Sequence, residues 1–324
     1  QSAADLKERL GKIFIGFSRS KAPIFARDLK VAGAMLALLR EAMQPNLVQT
    51  LEGTPAILHG GPFGNIAQGT NSVVATQLGM SLADWVVTEA GFGFDLGGEK
   101  FLDLKCRASG LWPDAVVLVA TIRALKYQGG VPVKDLTTPS TEAIRRGFAN
   151  LSRHLDNCQF FGLAPVVVIN RFAADHFGHG GEGAIAAAEA VIAVAEASTR
   201  APKYAYALNS PVEAKIEAVA QVLYGAGEVI YAPKARTDLK TITDLGLANL
   251  PICMAKTQYS FSEQPGLLGR PEGFKFAVRE IEIAAGAGFI IPICGDIMRM
   301  PGLPDVPAAE HIDLDEHGEV IGLM

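Results

Sequence analysis

What the chain does without narrows the field before any motif is read. None of its apolar runs approaches the length needed to cross a membrane, and it does not open on a secretory leader. It has no basic excess: with a net charge of -5 and a pI near 5.7, nothing points to nucleic acid. Its four cysteines, Cys106, Cys158, Cys253 and Cys294, form no CxxC pair, so they are expected as reduced and mostly buried thiols of a cytoplasmic protein. There is no GxxxxGK[ST] phosphate loop and no GxSxG nucleophile elbow, and no low-complexity tract or fixed repeat. The first residue is Gln1 rather than Met, compatible with trimming or with a piece of something longer.

What remains is a globular composition, 49% hydrophobic and 19% charged over 324 residues, enough for a sizeable core and two or three domains. The chain is organised around residues 59–107, HGGPFGNIAQGTNSVVATQLGMSLADWVVTEAGFGFDLGGEKFLDLKCR. Here two strand candidates, PAIL (Pro55 to Leu58) and WVVTE (Trp85 to Glu89), each run into a glycine-rich loop and then a helical pattern. Such a unit offers free backbone N–H groups and a helix N-terminus, the recipe for an anion site.

Further strands are expected at KIFIGF (Lys12 to Phe17), AVVLVAT (Ala115 to Thr121) and PVVVIN (Pro165 to Asn170). Helices are expected over Ala26 to Gln44, Ile66 to Leu82, Glu142 to Leu155, Ala184 to Ala197 and Val212 to Tyr224, with Tyr204 to Leu208 as a possible strand. The repeated β-loop-α spacing argues for an α/β fold, a mostly parallel sheet with helices on both faces, and ligands beyond the carboxyl ends of its strands. TTPST (Thr137 to Thr141) and Tyr231 to Lys234 mark two boundaries, giving domains 1–141, 142–232 and 233–324. The last is expected to be a smaller α+β unit in which Phe274 to Ile283 pairs antiparallel with Phe289 to Cys294, followed by a short C-terminal hairpin.

Each candidate site has a plainer competitor. GFGFDLG is one residue off the dinucleotide fingerprint, and turn glycines explain it as well as cofactor binding does. HGGPF resembles a hydrolase oxyanion loop, but without a nucleophile elbow that reading fails. His59, His176 and His179 could be offered as metal ligands; the spacing is loose, solvated loop histidines fit better, and no metal site is expected. Phe172 and Phe177 flank a third glycine loop at a strand end, where they could plug a domain surface or form a slot for a planar ring. Arg123 and Lys126, just after a strand, could neutralise an anion or be a solvated first turn; Lys256, in AKTQYSFS, is a weaker case of the same kind.

Taken together, PNLVQTLEGTPAILHGGPFGNIA, VVTEAGFGFDLGGEKFLDLKCR, VATIRALKYQGG, MAKTQYSFS and REIEIAAGAGFIIPICGDIMRMPGLP resemble the formate–tetrahydrofolate ligase family, over Ala4 to Met324. The resemblance implies a P-loop NTPase-like multidomain ligase of one-carbon metabolism. In that family ATP, with Mg²⁺, phosphorylates formate, and N10 of tetrahydrofolate attacks the formyl phosphate; a monovalent cation (K⁺ or NH₄⁺) activates, and the enzyme is typically a homotetramer. Residues 1–141 would then belong to the nucleotide and formyl-phosphate domain, and residues 142–232 would carry the folate loop. By position, Phe172, Phe177 and Phe92 would meet the folate, while Gly60, Gly61, Asn65, Gly91 and Gly93 would form the phosphate and nucleotide loops. Arg123 and Lys126 would be catalytic, neutralising charge.

The departures are specific. Gln128 stands where the family has histidine or asparagine, Gln68 and Thr70 where it shows histidine and cysteine, Phe94 for a small residue, Gly98 for alanine and Phe177 for tryptophan. A longer family stretch is compressed to Ala173, Ala174, Asp175 and His176, and the family's Walker A segment is absent from these 324 residues. Two expectations stand: a divergent ligase seen without its N-terminal part, or a degenerate paralogue that binds folate or a full-length ligase without turning over ATP.

Overall fold

A computed structural model describes residues 2–170, 184–199, 201–297, 312–314 and 320–321. The fold is mixed α/β. Among the described residues the strands group into four two-stranded sheets and one of three strands. Helix α1 (Ala3–Gly11) is started by Ser2, whose side chain accepts from the Asp5 amide. It leads into a small antiparallel pair, β1 (Phe14–Phe17) with β2 (Pro23–Phe25). Helix α2 covers Ala32–Leu38, shorter than its apolar period suggests.

PAIL forms β4 (Pro55–Leu58), but it pairs antiparallel with β3 (Asn46–Gln49) through the turn at Gly53 rather than joining a parallel sheet. Helix α3 (Val73–Leu82) begins where Ser72 caps the Ala75 amide. WVVTE is not assigned to a strand, and helix α4 (residues 94–109) follows it. Parallel pairing does occur further along. β5 (Val116–Thr121) pairs in register with β6 (Pro165–Asn170) across a helical crossover, α5 (Ile122–Gln128) and α6 (Thr141–Phe160). The close approach of those two helices explains their glycines: a Cβ on Gly147 would lie 1.9 Å from the Leu125 carbonyl oxygen, and one on Gly129 the same distance from that of Ala143.

Helix α7 (Ile185–Glu196) follows, then α8 (Val212–Ala218), which widens into a π turn at Val219–Tyr224. Tyr204 to Leu208 is not a strand. A second parallel unit runs β7 (Glu228–Tyr231), α9 (Pro233–Asp244, with proline in its first turn) and β8 (Lys275–Ala284). β8 then turns antiparallel into β9 (Phe289–Cys294), as the AAGAG turn suggests. The C-terminal hairpin joins β10 (Asp313–Leu314) to β11 (Val320–Ile321).

The main core lies under this last sheet. Phe161, Ile216, Val219, Leu223, Tyr224, Ile242, Met254, Phe261 and Phe276 are all essentially inaccessible. Every residue of β9 is buried, because residues 252–255 bridge onto its outer side in parallel. All four cysteines are free and buried, and burial pushes Cys106 and Cys158 to about 12 and Cys253 to about 11.

Candidate functional site

The site is assembled on one helix, residues 94–109, whose turns at Phe94–Gly98 and Phe101–Cys106 are of the wide π type. Such turns are rare and frequent at functional sites. Its apolar side, Phe94, Leu102 and Cys106, is sunk in the main core, which anchors it. Its polar side chains are buried as well: Asp95, Glu99, Lys100, Asp103 and Lys105. Buried charges call for partners, and the two lysines find theirs in the glycine loops.

The Lys100 ammonium donates to the Gly64 carbonyl at 2.6 Å. Lys105 reaches the Thr70 hydroxyl at 3.3 Å, and that hydroxyl donates to the Glu89 carbonyl at 2.8 Å. Burial lowers Lys105 to about 8. Asp103 accepts from Arg107 at 2.8 Å and from the Ala205 amide at 3.1 Å, yet burial outweighs both and raises it to about 6. Glu99 is completely buried and neither carboxyl oxygen has a hydrogen-bond partner among the described residues; burial, reinforced by Asp103, pushes it well above the carboxylate range. Burial thus favours its neutral form.

The loops themselves touch backbone to backbone. The Gly91 amide donates to the Gly69 carbonyl at 2.9 Å. A Cβ on Gly69 would come within 2.7 Å of the Gly64 Cα, and one on Gly97 within 1.8 Å of the Gly91 oxygen. Between them stands Phe92, with φ 67° and nearly half its surface exposed, its ring 2.9 Å from where a Gly64 Cβ would sit. A non-glycine residue in the left-handed region is uncommon and is concentrated at ligand sites.

The sequence-derived candidates divide accordingly. Gly91, Gly93 and Phe92 are brought together with Gly64 and Gly69, and Asn65 lies in the same loop, half-buried. Gly60 and Gly61 open that loop; a Cβ on Gly61 would meet nothing, so its main chain is approachable. His59 is occupied, with Nδ1 2.7 Å from the Ser72 hydroxyl and Nε2 2.9 Å from the Ala42 carbonyl. Arg123 and Lys126 lie elsewhere, on α5, which packs on α6 and β5. Arg123 is exposed in its first turn, whereas Lys126 is buried and donates at 3.0 Å to the carbonyls of both Leu136 and Thr138. Phe172, Phe177, His176 and His179 lie outside the described residues.

Sequence reading passed over the buried charges. Asp95, Glu99 and Asp103 are spaced four apart on one helix, a face that looks solvated until the structure buries it. Among the described residues no three His, Cys, Asp or Glu side chains converge as metal ligands, and the site lysines are spent on protein acceptors. What the described residues leave open at the site is the Phe92 ring and the backbone at Gly61.

Glycine loops packed around a half-exposed aromatic ring and tied to a buried, charged helix mark the candidate site of a mixed α/β protein. Sequence comparison gives the family. The family model for formate–tetrahydrofolate ligase matches residues 1–176 and 173–324. The chain belongs to the formate–tetrahydrofolate ligase family. A relative of that name from Methylibium petroleiphilum is 51% identical over 350 aligned residues, covering all of this chain and 62% of the relative. Others from Methylorubrum extorquens and Methylobacterium radiotolerans are 50% and 51% identical, covering 100% and 99% of this chain and again 62% of each relative. The chain thus spans less than two thirds of the length of the curated relatives it matches. The two matched segments overlap at residues 173–176.

Proposed function

We propose that the chain contributes the ring-binding part of a ligase that joins formate to tetrahydrofolate at the expense of ATP. In that reaction a formate oxygen attacks the terminal phosphorus of ATP and ADP leaves. The N10 lone pair of tetrahydrofolate then attacks the formyl carbon, phosphate departs and the amine proton goes to solvent, leaving 10-formyltetrahydrofolate. Phosphorylation is needed because an oxyanion leaves carbon far less readily than phosphate does. Positioning of the reactants supplies most of what a protein can add to such a transfer.

The observation that carries this reading is Phe92, held half-exposed in a left-handed conformation between two glycine loops. Phe172 and Phe177 would complete the pterin slot, and the open backbone at Gly60 and Gly61, with Asn65, would meet the phosphate-bearing ligand. Arg123 would neutralise charge, and Lys126 would act by fixing its own loop. The parallel pair β5–β6 would be part of a P-loop NTPase-like parallel sheet. Mg²⁺ and a monovalent cation belong to the reading by family resemblance, as do a cytoplasmic location and a homotetramer. The exposed apolar side chains of residues 14–88 support an assembly that covers them.

A second reading is favoured by one observation: Lys100, Lys105 and Lys126 all donate to protein acceptors. On it the chain binds folate, or a full-length ligase, without turning over ATP. Incubation with ATP, formate, tetrahydrofolate, Mg²⁺ and K⁺ separates the two. Formation of 10-formyltetrahydrofolate above background supports the ligase, tetrahydrofolate binding without product supports the second reading, and loss of both defeats each of them.

A further inference from the structure

Lys256 comes from the C-terminal half of the chain, yet its ammonium lies 2.7 Å from Asp95 Oδ2, at the head of the site helix. Its place is fixed by backbone. The Cys253 and Ala255 amides donate to Ile290 and Pro292 of β9, and the Cys294 amide donates back to Ala255. Lys256 is fully buried and also donates to the carbonyls of Ser260 at 2.5 Å and Thr257 at 3.2 Å, so all three of its protons are placed. Burial lowers its affinity for a proton and Asp95 opposes that shift.

On its other side the Asp95 carboxylate supports the loop. A Cβ on Gly93 would lie 2.6 Å from Asp95 Oδ1 and 3.0 Å from His154 Cε1, so the main chain of Gly93 rests directly on the ion pair. His154, on α6, has its Nδ1 4.0 Å from Asp95 Oδ1 and its ring packed at a tilt, 4.7 Å from that of Phe261; burial lowers its pKa, so it is neutral at pH 7 and leaves Lys256 as the cation facing the carboxylate. The residue before Gly93 is Phe92. Its left-handed backbone is costly and persists only where the surroundings over-determine it. The Gly91 amide fixes one flank of Phe92 and Gly64 lies under the ring. The remaining flank is Gly93, seated on Asp95.

We infer that the Lys256–Asp95 pair is a positioning device, which wedges Gly93 and so holds Phe92 in the conformation that presents its ring to a planar ligand. The identity of that ligand rests on the proposed folate function; the mechanical coupling does not. The pair carries the register of β9, through residues 252–256, into the ligand loop.

The test reads Phe92 directly. The intact chain is labelled with 4-fluorophenylalanine at its 16 phenylalanines, and the Phe92 ¹⁹F resonance is assigned by its loss in Phe92→Leu. Lys256→Met alone would strand a buried carboxylate and can unfold the chain, so the informative variant is the neutral pair Asp95→Asn/Lys256→Met, in which no lone charge remains. The expected result is a Phe92 resonance displaced by about 0.5 ppm or more, or broadened by exchange, while those of core rings such as Phe276 stay in place. Gly93→Ala, which pushes on Asp95 from the opposite side, is expected to do the same and serves if the double variant does not fold. An unmoved Phe92 resonance in a folded variant overturns the inference, whatever happens to thermal stability.

Tetrahydrofolate titration adds the functional arm. About a tenfold or greater loss of affinity is expected in Asp95→Asn/Lys256→Met and in Phe92→Leu, with no further loss on combining them. Additive losses would overturn the coupling. If the wild-type chain binds no tetrahydrofolate while the ¹⁹F shift is seen, the ligand assignment fails and the positioning device stands.

Discussion

Two strands measure the difference between the halves of this molecule. Phe289–Cys294 is buried at every position, and Asn46–Gln49 is exposed at every position. Both are hydrogen-bonded, so strand formation is not what separates them. The first has β8 on one side, residues 252–255 on the other and the main core beneath it. The second has a single partner, β4, and leaves Leu47 69% exposed, with Leu51 just after it and Val87 further along the chain almost entirely open. A hairpin satisfies its backbone with one neighbour, but apolar side chains need a second layer. The described residues supply that layer to residues 201–294 and not to residues 14–88.

The contrast breaks most sharply under truncation. Phe276→Ala, in the closed core, is expected to cost about 3 to 5 kcal/mol by urea unfolding, whereas Leu47→Ala should stay within about 0.5 kcal/mol. Equal costs would mean that the hairpin is covered in solution.

Next in size is a pH effect at the junction of the halves. Lys105 titrates at about 8 in the folded chain against 10.5 for the free side chain. Between those values the unfolded chain binds the extra proton, so stability contributed at this site is present above pH 10.5 and is lost as pH falls through 8. The difference in stability slope between wild type and Lys105→Met is expected to accumulate to on the order of 3 kcal/mol across that window. Parallel slopes would show that the amine is hydrated.

A smaller effect concerns access. All four buried thiols should resist a disulfide reagent in the native state and react once urea unfolds the core; fast reaction of any one would mark local opening. The smallest is Leu51→Glu, expected to change stability by less than about 0.5 kcal/mol while reducing dye binding to exposed apolar surface. No reduction would show that surface to be occupied already.

Legibility in the sequence followed the same division. The continuous apolar runs AVVLVAT and PVVVIN were legible as strands from their length and β-branched residues, and they do pair in parallel, although Val117, Val119, Val167 and Ile169 are exposed, so the second face is not covered by the described residues. The β8–β9 pair was visible for the same reason together with its glycine turn. PAIL was read correctly as a strand but not its partner, since NLVQ shows no alternation and pairing direction is not written into a single strand. WVVTE has β-branched residues but lacks a neighbour, and propensity without a ladder yields no strand. At the site, the glycines and Phe92 were legible from spacing and family resemblance. Lys256 was singled out only as a possible anion partner and Lys100 not at all, because their actual partners, Asp95 and the Gly64 carbonyl, lie 161 and 36 residues away in the chain.

The contacts among Gly64, Gly69, Gly91 and Gly97 also bear on how this chain can change over time. Each of these positions admits one letter only so long as the other loop keeps its path: any side chain at Gly97 would require the backbone at Gly91 to retreat, and Gly91 is tied to Gly69. Mutation therefore cannot explore the two loops separately. They would drift as one inherited unit, with novelty entering through Phe92 and the open backbone at Gly61, the places where an added or altered side chain meets space instead of main chain.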